Sequence, residues 1–337
     1  MLKLTKQDIK GVISMPPTPS TNDGGNWRTA DSVDHDKSRL MVNKLINSGT
    51  KGFAFCGTTG ENAALLWEEK KGFISTVTQE IKHRAIVFAG ATSLGTREVI
   101  RQMKLLKELG ADGAFVGLPL WQTPTLTNSV DFYADLSAAV PDMPILVYSN
   151  FHFFKSDFPV EFWEGLAKKA PTVVCDKISH GIEHITDDIR VAGHQINFIP
   201  AMATAYQVNK RAPGKVTSLW CTDPGPEPYV ALLDAIVSGN EAKAEEVVKD
   251  LRSLPSAEPP SAEPHAVPSG WQGRMQTPHA QYNAQEVRYR WNCGDFLNVG
   301  PMRPPYTDFP DERKKGIEIR TKAYSQLRQK YLTAGAR

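Results

Sequence analysis

The chain is 337 residues long with 41% hydrophobic residues, enough to bury one large core and a smaller appendage. Lysine and arginine number 39 against 37 acids, so the net charge is only +2; with no basic block, this argues against a nucleic-acid or anionic-membrane surface as the main partner. No charged-then-apolar leader follows Met1 and no apolar run approaches a membrane span, so we expect a cytoplasmic protein. Cys56, Cys175, Cys221 and Cys293 form no CxxC pair and read as reduced thiols, not as a disulfide frame or a zinc site.

Taken in order, eight short β-rich runs alternate with amphipathic stretches. They are GVISM from Gly11, GFAFC from Gly52, AIVFAG from Ala85, GAFVG from Gly113, ILVYSN from Ile145, VVCDKIS from Val173, NFIPAM from Asn197 and TSLWCT from Thr217. The spacing is the pitch of a strand plus a crossover helix. Two helices, carrying Met41, Val42, Leu45 and Ile46 and then Val99, Met103 and Leu106, are expected to stop at Gly49 and Gly110, where a left-handed cap is needed. SGTKGFAFCG and LGADGAFVG repeat one pattern of helix end, glycine, glycine and strand. The reading is a (βα)8 TIM barrel over residues 1–238 with a C-terminal helical extension over 239–337; an open doubly wound sheet is disfavoured because GxGxxG is absent after the first strand. The extension holds a Pro-rich loop, 255–270, in which PSAEP occurs twice, and helices from about Gln281 to Leu297 and from Asp311 to Leu332.

In a barrel the reactive mouth lies at the C-terminal ends of the strands. Polar residues to inspect there are Thr18, Gly57 to Glu61, Thr92, Trp121, Tyr148, Asn150, Lys177 and Thr222. By the period of two, Val173, Cys175 and Lys177 share one face of their strand. Alone, Lys177 reads more readily as a rim lysine whose tip reaches water, and GTTGE as readily as an ordinary turn.

Together, GTTGE (Gly57 to Glu61), AGATSLGTREVI from Ala89, Tyr148 of VYSN and Lys177 of VVCDKIS resemble the pyruvate-dependent class I aldolases of the dihydrodipicolinate synthase and N-acetylneuraminate lyase superfamily, over residues 9 to about 250. MPPTPST, GLPLWQ, the phenylalanine-rich loop after Tyr148, QYN and VGPMRPPY are similar to bacterial hydratase-aldolases of polycyclic aromatic degradation, which cleave benzylidenepyruvates to an aromatic aldehyde and pyruvate. The resemblance implies a lyase with no cofactor beyond a covalent imine on Lys177, and a proton-relaying Tyr148. Gly57, Thr58 and Thr59 are then expected to hold the substrate carboxylate, with Glu61 an anchor of their loop. Asn150 would hold the added water or C4 hydroxyl. Trp121 would stack on the ring or plug the mouth, and Asn283 would reach back over it. FHFF (Phe151 to Phe154) stands where amino-acid-forming relatives carry an arginine, which suits an aromatic ring. The expected ligands are an aromatic 2-oxo acid and pyruvate, and the expected assembly a homotetramer. We favour trans-2'-carboxybenzalpyruvate, from phenanthrene breakdown, with the ortho-hydroxylated substrate of naphthalene breakdown close behind. A metal-dependent aldolase is disfavoured because His180 and His184 lack further ligands, and a non-catalytic barrel would leave the lysine, tyrosine and threonines together by accident.

Overall fold

A computed structural model describes residues 4–179, 181–257 and 278–334. The eight strands are β1 (Gly11–Ser14), β2 (Thr50–Phe55), β3 (Ile86–Gly90), β4 (Gly113–Val116), β5 (Ile145–Ser149), β6 (Val173–Ile178), β7 (Asn197–Ile199) and β8 (Ser218–Cys221). All pair in parallel, in the order β7-β6-β5-β4-β3-β2-β1-β8. A parallel bridge between Ala201 and Trp220 joins the two ends. The expected TIM barrel is therefore the fold.

Its wall helices are α1 (His35–Asn47), α2 (Trp67–Ile81), α3 (Thr96–Glu108), α4 (Leu126–Ala139), α6 (Val160–Lys169), α7 (Ile185–Ala192), α8 (Met202–Arg211) and α9 (Glu227–Val237). Met41, Val42 and Leu45 of α1 and Val99, Met103 and Leu106 of α3 are fully buried against the sheet, as their spacing requires. Gly49 and Gly110 follow these two helices at φ 102° and 91°, a region closed to most side chains.

The FHFF stretch differs from expectation. It forms a single helical turn, α5 (Phe151–Phe154), because the Asn150 side chain accepts from the Phe153 N–H at 3.2 Å and caps it. Beyond the barrel come α10 (Glu241–Arg252), α11 (Pro278–Cys293) and α12 (Asp311–Ala334). α11 thus starts slightly earlier and ends earlier than the hydrophobic pattern suggests. Most of the Pro-rich stretch, from residue 258 on, lies outside the described residues.

The extension is fastened by buried charge. Glu61, just after β2, is paired with Arg288 of α11 and with Arg303 Nη1 at 2.6 Å, and it also accepts from the Arg303 backbone N–H at 3.0 Å. All three residues are at most 2% exposed. Carbonyls of Thr18, Pro19, Ser32 and Val299 accept from the terminal guanidinium nitrogens, so these ions are hydrogen-bonded as well as paired, although Arg288 Nε is buried without a partner among the described residues.

Candidate active site

β6 is buried along its whole length, and its alternation decides where Lys177 goes. Asp176 turns toward the helices, where it accepts from Ser149 Oγ at 3.0 Å and, after burial, helps push up the pKa of Tyr133 on α4. Lys177, one residue on, turns into the barrel mouth and is 6% exposed. Its Nζ lies 3.7 Å from the centre of the Trp220 ring and 4.6 Å from that of Tyr148, and it donates to Ser179 Oγ. Burial brings its pKa down to about 7, while Asp176 behind it pulls the other way. An amine so placed is available as a nucleophile near neutral pH.

Tyr148 projects from β5 beside it, buried between Phe115, at 4.9 Å between ring centres, and Phe154, at 5.1 Å. Its hydroxyl is 3.3 Å from Thr58 Oγ1 and accepts from Asn150 Nδ2 at 3.5 Å. Burial pushes its pKa up to about 12, against those two hydrogen bonds, so the phenol stays protonated and able to donate.

The GTTGE loop makes its turn in a way the sequence does not suggest. Positive φ falls on Cys56 (53°) and Glu61 (57°), not on the glycines. Gly57 and Gly60 are needed for space: a Cβ would meet Phe115 Cε1 at 2.7 Å in the first case and the backbone N of Cys56 at 2.7 Å in the second. Thr18 Oγ1 donates to the Gly60 carbonyl at 2.8 Å, and Thr59 Oγ1 to that of Met15 at 3.1 Å, which fixes the loop over the mouth. Glu61 is spent on the two arginines, in an anchor's position.

Two neighbouring cavities result. One, of about 380 Å³, is lined by Lys177, Tyr148, Gly57, Thr58, Thr59 and Asn150, with Trp220, Ser179, Thr204 and Thr222 around them and Asn283, Glu286, Val287 and Arg290 of α11 above. The other, of about 240 Å³, shares Gly57, Thr58, Tyr148, Phe153 and Asn283 and is otherwise walled by Leu120, Phe154, Tyr306, Asn62, Thr92 and Gln285. The structure therefore brings together every expected site residue except Trp121. That side chain is 86% exposed and lines neither cavity. In the single chain it neither plugs the mouth nor faces the ring space, because the segment after β4 carries it outward.

Trp220, Ser179, Glu286 and Arg290 were not foreseen. Trp220 reads as a strand-core residue, although a tryptophan at a strand's C-terminal end is itself a signal for the mouth. Arg290 is paired with Asp223, which burial and the arginine affect in opposite senses with the arginine prevailing. Thr92 holds a loop, its Oγ1 accepting from the Gly117 N–H at 2.8 Å. His180 lies outside the described residues, and among those described no three His, Cys, Asp or Glu side chains are grouped to hold a metal. No described helix is long and apolar enough to cross a membrane.

The dihydrodipicolinate synthetase family matches residues 8–258. The chain is 35% identical over 335 residues to trans-O-hydroxybenzylidenepyruvate hydratase-aldolase of Pseudomonas aeruginosa, covering 98% of this chain and 96% of that protein. It is 30% identical over 334 residues to trans-2'-carboxybenzalpyruvate hydratase-aldolase of Nocardioides sp. (strain KP7), covering 98% and 97%. Among solved structures, PhdJ bound to a substrate intermediate matches with a TM-score of 0.89 at 31% identity, over 98% of this chain and 100% of that one.

Proposed function

Because this chain belongs to the dihydrodipicolinate synthetase family and is a carbon–carbon lyase of the hydratase-aldolase kind, we propose that it cleaves ortho-substituted trans-benzylidenepyruvates through an imine on Lys177. The observation that carries this reading is the buried Lys177 amine, brought to a pKa of about 7 beside the Tyr148 hydroxyl.

The neutral amine attacks the C2 ketone, and loss of water gives an imine conjugated with the C3=C4 alkene. Backbone N–H groups of Gly57, Thr58 and Thr59 and the hydroxyl of Thr58 hold the substrate carboxylate, while Thr59 Oγ1 stays on the Met15 carbonyl. Water adds at C4. Tyr148, hydrogen-bonded to Thr58 and Asn150, relays the proton of the C4 hydroxyl as the C3–C4 bond breaks and the aldehyde departs. The enamine left on Lys177 is protonated and hydrolysed to pyruvate. The electron sink is the imine itself, so the reading requires no metal or other cofactor. The test is incubation with pyruvate and borohydride, with and without chelator, followed by mass spectrometry. A chelator-insensitive adduct on Lys177 is expected; none, or one on another lysine, sinks the reading.

For the ring substituent, relatives of both kinds match nearly the full chain, and the carboxylated ring favoured from the sequence has no better support from them than the hydroxylated one. We place the ring in the smaller cavity, where its charge decides between them. That cavity offers Thr92, Asn283 and Gln285 as polar groups; Glu61 is paired with two arginines, and neither these nor any other described lysine or arginine lines the cavity. A phenol finds partners there, whereas a carboxylate would be buried without a cation. This supports trans-o-hydroxybenzylidenepyruvate as the preferred substrate. The carboxylated ring is the second reading, for which Arg290 lines the larger cavity with its charge shared with Asp223. Parallel kcat/KM measurements decide, and equal values would remove the preference. The proposed setting is a cytoplasmic homotetramer in which a neighbouring subunit covers Trp121.

A further inference from the structure

Asn283, Glu286, Val287 and Arg290 follow the i, i+3, i+4, i+7 spacing of one helical stripe, and all four line the Lys177 cavity. Glu286 is the one carboxylate among the described residues that does so. Its Oε1 accepts from Arg313 of α12, through Nε at 3.1 Å and through Nη2. Its Oε2 has no protein hydrogen-bond partner among the described residues. One oxygen is held by Arg313, and the other carries no bond from the described residues in a side chain that lines the cavity.

Hydration of the conjugated imine needs a group that accepts a proton from the attacking water. The other polar residues of the cavity are poorly suited. Lys177 is committed as the imine nitrogen, Tyr148, protonated up to about pH 12, can pass a proton along but not keep one, and the serine, threonine and asparagine side chains are not bases at neutral pH. We propose that Glu286 is the general base of the hydration step, an inference that rests on the imine reading above.

As the water oxygen bonds to C4, its proton passes to Glu286 Oε2. The C3=C4 electron pair becomes the C2–C3 π bond, and the C2=N pair withdraws onto nitrogen, giving the neutral enamine. Glu286, now a carboxylic acid, returns the proton to C3, and the nitrogen lone pair re-forms the iminium. The net change is H on C3 and OH on C4, with the carboxylate regenerated. Cleavage then proceeds through Tyr148.

The test uses Glu286→Gln, which keeps an oxygen for Arg313 but is no base, with trans-o-hydroxybenzylidenepyruvate as probe. Turnover is expected to fall by about 10²–10⁴-fold. Borohydride should then trap the unsaturated substrate on Lys177, where the wild type yields the pyruvyl adduct, and pyruvate alone should still be trapped at the wild-type rate. Turnover within about threefold of wild type overturns the assignment. Loss of pyruvate trapping overturns it too, since Glu286 would then be supporting the cavity's shape. Absence of any Lys177 adduct in the wild type is a different failure: it removes the imine reading, and this proposal with it.

Discussion

Tyr148 and Lys177 are register partners across β5 and β6, and the lysine Nζ lies 4.6 Å from the centre of the tyrosine ring. In a parallel ladder such partners point the same way, so the proposed nucleophile and proton relay are set side by side by backbone hydrogen bonds. The relationship exists without substrate, as a consequence of strand register alone.

The pH dependence of pyruvate trapping follows from the Lys177 pKa of about 7. The rate should rise through about pH 7 and level off above it, as the amine loses its proton. A profile still climbing toward the ordinary lysine range of about 10.4 would show that the burial does not perturb the amine as described.

The same group carries a stability signature. Folding lowers its pKa, so between about 7 and 10.5 the unfolded chain binds more protons and native stability rises with pH; below 7 both states are charged and the cost of burying the ammonium is fully present. Lys177→Met should therefore be more stable than wild type at pH 6, by an amount on the order of a few kcal/mol, with the advantage shrinking by pH 10. Urea melts at the two pH values test this, and an equal difference at both would contradict it.

Trp220 walls the amine at 3.7 Å and donates from Nε1 to the Ile178 carbonyl at 2.9 Å. Trp220→Ala admits water beside Nζ. The midpoint of the trapping profile should move to higher pH, and a midpoint displaced by about one pH unit lowers the rate on its acid side about tenfold. An unmoved midpoint would leave the desolvation to other walls.

Tyr148→Phe removes one hydroxyl and little volume. Turnover is expected to drop by about 10²–10⁴-fold while the fold, read by its thermal melt, stays intact. Activity near wild type would pass the relay to another group, with Thr58 the first to examine.

Glu61→Ala leaves Arg288 and Arg303 buried without their anion. The expected cost is about 3–5 kcal/mol, seen in urea unfolding. A loss below about 1 kcal/mol would mean that the surrounding carbonyls alone satisfy the arginines.

Strand positions, the helix stops at Gly49 and Gly110 and the inward turn of Lys177 were legible because each depends on local spacing. Thr58, Thr59 and Tyr148 were legible because they sit at strand ends in short motifs. What escaped depends on contacts distant in sequence. Glu286 and Arg290 become site residues only when α11 docks, and that docking rests on Glu61 meeting arginines 227 and 242 positions away. Trp121 shows the converse: it sits at the right strand end, yet its segment turns outward and leaves it in solvent.

The mouth thus has a floor and a roof on different parts of the chain. Lys177, Tyr148 and Thr58 rise from the barrel, whereas Asn283, Glu286 and Arg290 descend from one helix tied on by side chains. The two halves are therefore separable: the residues proposed to form the imine sit on strands, whereas the carboxylate proposed to serve hydration hangs from a helix fastened by the Glu61 ion pairs, so loosening that fastening should impair the second before the first.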